Sequence, residues 1–268
     1  MDQYTIFHHI FISHTDSLIY TYTCNYPFSG CGHTITPLLC AIMLEKPRII
    51  DLLLNAGASC KSLSYGTFWR ASGSSVCSSC DVKLTPLHMS AYTGNLEITH
   101  ALLQKGETEI PNQLVEQFPD NRYFTLISPL WLALLKGHEK IVKLFLCLQK
   151  PVTLANHFGS GLQVCLEEGH TNLALMLLRA GYDLSEDLEW IEDGNNFCKN
   201  EEVMEQILKL VNHPRSLMDC CASSLRDKFG LMLDHYLIKV GAPRKVYDIL
   251  NFHDISNKSW QEELCLLN

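Results

Sequence analysis

Residues 85–106 read Thr-Pro-Leu-His-Met-Ser-Ala-Tyr-Thr-Gly-Asn-Leu-Glu-Ile-Thr-His-Ala-Leu-Leu-Gln-Lys-Gly. Thr85 can cap a helix through its hydroxyl, and Pro86 suits the first helical position, where a missing N–H costs nothing. Leu87 and Ala91 recur at helical spacing until Gly94 interrupts the run. A second run follows, with Leu96, Ile98, Ala101, Leu102 and Leu103 apolar, and Gly106 closes it. The stretch predicts two short antiparallel helices joined by a tight glycine turn. One such pair cannot bury its apolar faces alone, so copies are expected elsewhere in the chain.

Three more copies carry the same punctuation. Thr36-Pro37-Leu38 leads through Ile49 and Ile50 to Leu52-Leu53-Leu54-Asn55-Ala56-Gly57-Ala58. Ser128-Pro129-Leu130 leads through Gly137-His138-Glu139 to Val142, Leu144, Phe145 and Leu146. Ser160-Gly161-Leu162 leads through Gly169-His170 to Leu175-Met176-Leu177-Leu178-Arg179-Ala180-Gly181. Helix, turn and helix, followed by a hairpin finger, resembles the ankyrin repeat. That resemblance implies an all-α ankyrin-repeat solenoid across residues 34–212. Clear copies fall at 34–58, 85–106, 128–150 and 159–182, and a degenerate fifth at 188–212, where Glu189-Trp190-Ile191 would be the remnant of an inner helix. The first copy lacks a turn glycine at Glu45-Lys46-Pro47.

The spacing is uneven. Pro37 and Pro86 are 49 residues apart, Pro86 and Pro129 are 43, and Pro129 and Gly161 are 32, against a regular period of about 33. The excess falls at roughly 59–83 and 107–127, both read as loops. Residues 1–33, rich in tyrosine, phenylalanine and histidine, are expected to cap the first repeat, because a solenoid needs its open ends covered. Phe7, Ile10, Phe11 and Ile12 lie there without a basic flank and are interrupted by His8, His9 and His14, so a signal peptide is not expected.

Composition narrows the function. A net charge of −8 argues against nucleic acid as partner. No apolar run is long enough to span a bilayer, so no membrane role is expected. The twelve cysteines are scattered, and Cys40, Cys165 and Cys221 fall on apolar helix faces, which points to reduced thiols in the cytoplasm, with the nucleus left open. Cys77-Ser-Ser-Cys80 has zinc-knuckle spacing, but no second pair follows, so loop cysteines are the favoured reading over a metal site. His88, His138 and His170 read as structural, and no nucleophile elbow, Walker loop or HExxH motif is present. Neither catalysis nor a cofactor is expected.

Residues 216–225 read Ser-Leu-Met-Asp-Cys-Cys-Ala-Ser-Ser-Leu. Ser216 can cap a helix, and Leu217, Cys221 and Leu225 then stack at i, i+4 and i+8, with Phe229 extending the stripe before Gly230. A helix this short needs docking to persist. The segment resembles the Elongin-binding box that opens a SOCS box, matching at Ser216, Leu217, Cys221 and Leu225. Arg226 and Phe229-Gly230 fall where that family has Arg and Leu-Gly. Residues 240–250 resemble a cullin box through Pro243, Val246 and Leu250, although Gly241 replaces the first proline. Ankyrin repeats followed by this arrangement are similar to the ankyrin-repeat and SOCS-box family.

That resemblance implies a small three-helix SOCS-box-like domain at 214–252, followed by a tail at 253–268. It also implies the role of a substrate-recognition subunit in an E3 ubiquitin ligase. Elongin B/C would bind through Ser216, Leu217, Cys221 and Leu225. A cullin of the Cullin-5 type, with its RING subunit, would be guided by Pro243, Val246 and Leu250. Ankyrin proteins bind targets on a concave face, to which the residues before each turn project: Met43 and Leu44, Tyr92 and Thr93, Leu135 and Lys136, Glu167 and Glu168. This row passes from apolar to acidic, which suits a protein substrate with one apolar anchor and a basic flank. The alternatives are a C-terminal helical cap in place of the box, and an adaptor or scaffold without a ligase.

Overall fold

The structure is a computed structural model. It describes residues 20–21, 34–61, 64–71, 77–105, 127–148, 159–185, 187–192, 204–205, 207–209, 215–253 and 255. Most of the expected N-terminal cap, the 107–127 insertion, the outer half of the fifth repeat and the tail lie outside the described residues.

Four helix pairs follow the repeat punctuation. They are α1 (Pro37–Met43) with α2 (Pro47–Asn55), α3 (Pro86–Thr93) with α4 (Leu96–Gln104), α5 (Pro129–Lys136) with α6 (Glu139–Leu148), and α7 (Gly161–Glu167) with α8 (Thr171–Ala180). Each first helix starts the same way. The hydroxyls of Thr36, Thr85, Ser128 and Ser160 accept from the backbone N–H three residues on, at 3.3, 3.4, 3.1 and 3.0 Å. Each cap satisfies one of the N–H groups that a helix start leaves without a partner.

The turns are equally regular. Gly94, Gly137 and Gly169 adopt positive φ at 81°, 70° and 77°. In the first copy the equivalent residue is Glu45, at φ 50°. The turn that the sequence leaves unmarked therefore forms all the same, with a side chain in a left-handed conformation that costs roughly 1–2 kcal/mol.

Compactness divides the chain inside α5, between Leu132 and Ala133. In the N-terminal unit, α1 packs on α2 and α3, and α3 packs on α4. Leu38, Leu39, Ile42, Leu87, Ala91, Leu102 and Leu103 are buried there. In the C-terminal unit, α6 and α7 pack against α8 over a core that includes Phe145, Leu162, Cys165, Met176 and Leu177. A fifth inner helix, α9 (Leu188–Glu192), follows. Asp187 sits at its start, where the other copies have Ser or Thr, and its carboxylate accepts from the Ser160 hydroxyl and from Trp190 Nε1 at 2.8 Å.

The described residues are mostly helical, and strands correct the loop reading of the first insertion. Residues 59–83, read as a loop from the run of serines and glycines, contain an antiparallel hairpin of β3 (Ser64–Ala71) and β4 (Cys77–Leu84). Its register pairs Ser64 with Leu84 and Ala71 with Cys77. Backbone hydrogen bonding between facing segments stabilises strands that serine-rich composition alone does not announce. A second pair, β1 (Tyr20–Thr21) with β2 (Thr34–Ile35), lies just before α1.

The C-terminal segment forms α10 (Leu217–Phe229), a 3-10 turn (Gly230–Met232), α11 (Leu233–Val240) and α12 (Arg244–Leu250). Ala222, Leu233 and Leu250 make a small core, with Phe229, Leu237 and Ile249 packed on it. Helix α10 rests on α6 and α8, and α12 rests on α10. Among the described residues, no helix is long and apolar enough to cross a membrane.

Candidate functional site: an inverted helix

Helix α10 starts where the sequence places it. The Ser216 hydroxyl accepts from Asp219 N–H at 3.1 Å. The helix presents the opposite face from an ordinary packing helix. Ala222, Ser223 and Arg226 are buried, whereas Leu217 is 80 % exposed, Met218 is exposed and Leu225 is 38 % exposed. Cys221 is exposed between the two leucines. The Leu217/Cys221/Leu225 stripe thus faces away from the protein, and Phe229 at its end is half-buried.

Two arginines hold this inverted helix in place, each by capping another helix's C-terminal carbonyls. Arg215 Nη2 donates to Arg179 O at 2.8 Å, at the end of α8, and to Ser223 Oγ at 3.0 Å. Ser223 in turn donates to Ala180 O at 2.8 Å. The next residue, Gly181, has φ 94°, and a Cβ there would lie 2.5 Å from the Arg215 guanidinium. Glycine suits the positive φ at that point, and a Cβ there would push the Arg215 guanidinium aside. Arg226 does the same for α12. Its Nε donates to Leu250 O and its Nη2 to Ile249 O, both at 2.8 Å, and its guanidinium stacks 3.8 Å from the Phe252 ring centroid. Burial pulls the Arg226 pKa down to about 10. Helix ends leave such carbonyls without partners, and a guanidinium is the side chain best shaped to collect several at once.

The residues expected to meet a cullin separate in the structure. Pro243 and Val246 are exposed. Leu250 is only 2 % exposed and sits in the small core with Ala222 and Leu233, so it cannot be a surface contact. Its place on the inward side of α12 makes it a packing residue. Cys221 lies open on the stripe, whereas Cys165 is buried.

A second exposed apolar row was not singled out from sequence. Met232, at the end of the 3-10 turn, and Tyr236 and Val240 of α11 are exposed and stand at i, i+4 and i+8. The same periodicity that marks Leu217, Cys221 and Leu225 could have found it. The Phe229 and Tyr236 rings lie 4.7 Å apart, so the two rows meet.

The residues expected on the binding face all retain exposure. Met43, Tyr92, Thr93, Leu135 and Glu167 are half-buried, and Leu44, Lys136 and Glu168 are exposed. Each pair ends its inner helix immediately before the turn. Glu167 accepts from Gln163 Nε2 at 2.9 Å, and the Thr93 hydroxyl donates to Ser90 O at 3.3 Å.

His88 has the structural place expected of it. Thr85 N–H donates to its Nδ1 at 3.1 Å, which leaves the proton on Nε2, and Nε2 donates to Ile127 O at 2.8 Å. The ring therefore ties the second helix pair to the residue that opens the third. Burial lowers the His88 pKa to about 4, with the Ile127 carbonyl pulling weakly the other way. For the metal reading, the side chains of Cys77 and Cys80 lie outside those described. Among the described residues, no group of three His, Cys, Asp or Glu side chains is placed to hold a metal.

No curated protein matches the chain. Residues 83–113 match the family model described as Ankyrin repeat, which covers the quoted helix pair and makes at least this part of the chain a protein–protein interaction module.

Proposed function

We propose that the chain is a non-catalytic substrate-recognition subunit of an Elongin B/C–cullin ubiquitin ligase. The helix pairs hold a protein target and the C-terminal helices recruit the ligase. The observation that carries this reading is the exposed Leu217/Cys221/Leu225 stripe on a helix whose other face is pinned by Arg215 and Arg226. An isolated protein gains nothing from an ordered leucine held 80 % open to water, whereas a partner that buries it gains roughly 1.5–3 kcal/mol. Met232 and Tyr236 would extend the apolar area offered to the same partner, and Pro243 and Val246 remain free to meet a cullin. The protein would act by effective concentration, holding its target near a charged ubiquitin-conjugating enzyme.

Gel filtration with purified Elongin B/C tests the reading. A stable ternary complex is expected, and Leu217→Ala should weaken it about ten-fold or more. If no complex forms, or if the variant binds unchanged, the chain is an ankyrin adaptor that binds or sequesters its partner without a ligase.

A further inference from the structure

Two interleaved rows of the same period run through the start of α10. Leu217, Cys221 and Leu225 form one; Arg215, just ahead of the helix, forms the other with Asp219 and Ser223. Asp219 and Ser223 each stand two residues before a member of the first row, about 200° round the helix, so the rows face opposite ways. All three members of the second row meet the last two residues of α8. Arg179 Nε pairs with the Asp219 carboxylate at 3.4 Å, and both side chains are largely buried. The Arg179 carbonyl accepts from Arg215 Nη2 and the Ala180 carbonyl from Ser223 Oγ, each at 2.8 Å. The same Arg215 nitrogen donates to Asp219 O at 3.2 Å and to Ser223 Oγ at 3.0 Å. The row therefore converges on one point.

A single pin leaves a helix free to pivot, but α10 has a second hold. The 3-10 turn that follows it rests on α6, as α10 itself does. Gly230 there faces Leu148 so closely that a Cβ would lie 3.7 Å from its side chain. Asp219 and Phe229 are about 15 Å apart along the helix, so each ångström of slack at one hold tilts the axis by only about 4°. Helix α7 packs on α8, and all of these elements fall in the one compact unit that begins at Ala133.

We propose that Arg215, Asp219 and Ser223 are a positioning row that makes α7, α8 and α10 one rigid body. The outward stripe then keeps a fixed direction relative to the edge at Glu167 and Glu168, where the last helix pair would meet a target. The consequence rests on the ligase reading: the chain itself, not a hinge, sets which lysines of a bound target ubiquitin can reach. Tethering raises effective concentration only where the geometry lets both ends engage.

Pulsed electron paramagnetic resonance on the full-length protein tests the coupling. Nitroxides are attached through genetically encoded ketone side chains at Asn172 of α8 and Asp227 of α10, both exposed. One narrow distance peak is expected, and saturating Elongin B/C should leave it in place. Arg215→Ala should broaden the peak at least about two-fold, and Ser223→Ala should broaden it less. A broad or multiple distribution in the unaltered protein would overturn the proposal, whether or not the variants fold. So would a peak that stays narrow in Arg215→Ala, or one that moves when Elongin B/C binds. A narrow peak in a protein that forms no Elongin B/C complex on gel filtration would uphold the coupling and remove the ligase.

Discussion

Helix pair α3–α4 and helix α10 carry apolar stripes of similar spacing and use them in opposite ways. In α3–α4, Leu87, Ala91, Leu102 and Leu103 are sealed inside, and polar residues on the same side are satisfied locally, with Thr99 donating to Asn95 O at 2.7 Å. In α10 the inward face is Ala222, Ser223 and Arg226, and the leucines point out. Repeats are held by burial of apolar area, which is additive and tolerant of detail. The inverted helix is held by a few directed hydrogen bonds from two guanidinium groups to helix-end carbonyls. A helix fixed in that manner can leave its apolar stripe for something else.

Truncating a leucine on each side should give the widest separation between the two regions. Leu102→Ala is expected to cost about 2–5 kcal/mol of stability. Leu217→Ala should stay within about 0.5 kcal/mol, as exposed substitutions do. Chemical denaturation followed by circular dichroism measures both, and comparable losses would show that α10 is packed like a repeat.

Arg226→Ala attacks the polar support directly. Loss of two charge-assisted bonds to Leu250 O and Ile249 O should cost roughly 3 kcal/mol. The loss should be concentrated in exchange protection of α12, with α3 and α4 unaffected.

A third test separates the regions by pH. His88 is neutral when folded, with its pKa lowered to about 4 from an ordinary 6.5. Between those values the unfolded chain binds the extra proton, so this contribution to stability is fully present above pH 6.5. It is lost as pH falls toward 4, by up to about 3 kcal/mol, and changes no further below that. His88→Gln should flatten that slope in pH-dependent denaturation while leaving the pH response of α10 unchanged.

The smallest expected effect compares the first copy with the second. Replacing the left-handed Glu45 by glycine should stabilise the N-terminal unit by about 1 kcal/mol. A loss on Glu45→Gly would mean that its side chain contributes more than its backbone strain costs.

Much of the helical skeleton was legible because its signals are local. Thr36, Thr85, Ser128, Ser160 and Ser216 cap helices through bonds that reach only three residues, and Gly94, Gly137 and Gly169 mark turns through their own φ. The turn at Glu45 was doubtful because packing of the flanking helices, not the residue, imposes it. The resemblance places a hairpin finger in this region, but the residues of 59–83 read as a loop, because each strand is stabilised by its partner across the turn.

The candidate site divides along the same line. Helical periodicity alone placed Leu217, Cys221 and Leu225 on one stripe. It could not say which face would meet water, because a stripe of that period fits a buried helix equally well. Tertiary structure decided that, by supplying the carbonyls of Arg179, Ile249 and Leu250 as partners for Arg215 and Arg226. It also turned Leu250 inward while leaving Val246 open. A residue's spacing is written in the chain, but the side it shows to solvent depends on which distant atoms arrive to meet its neighbours.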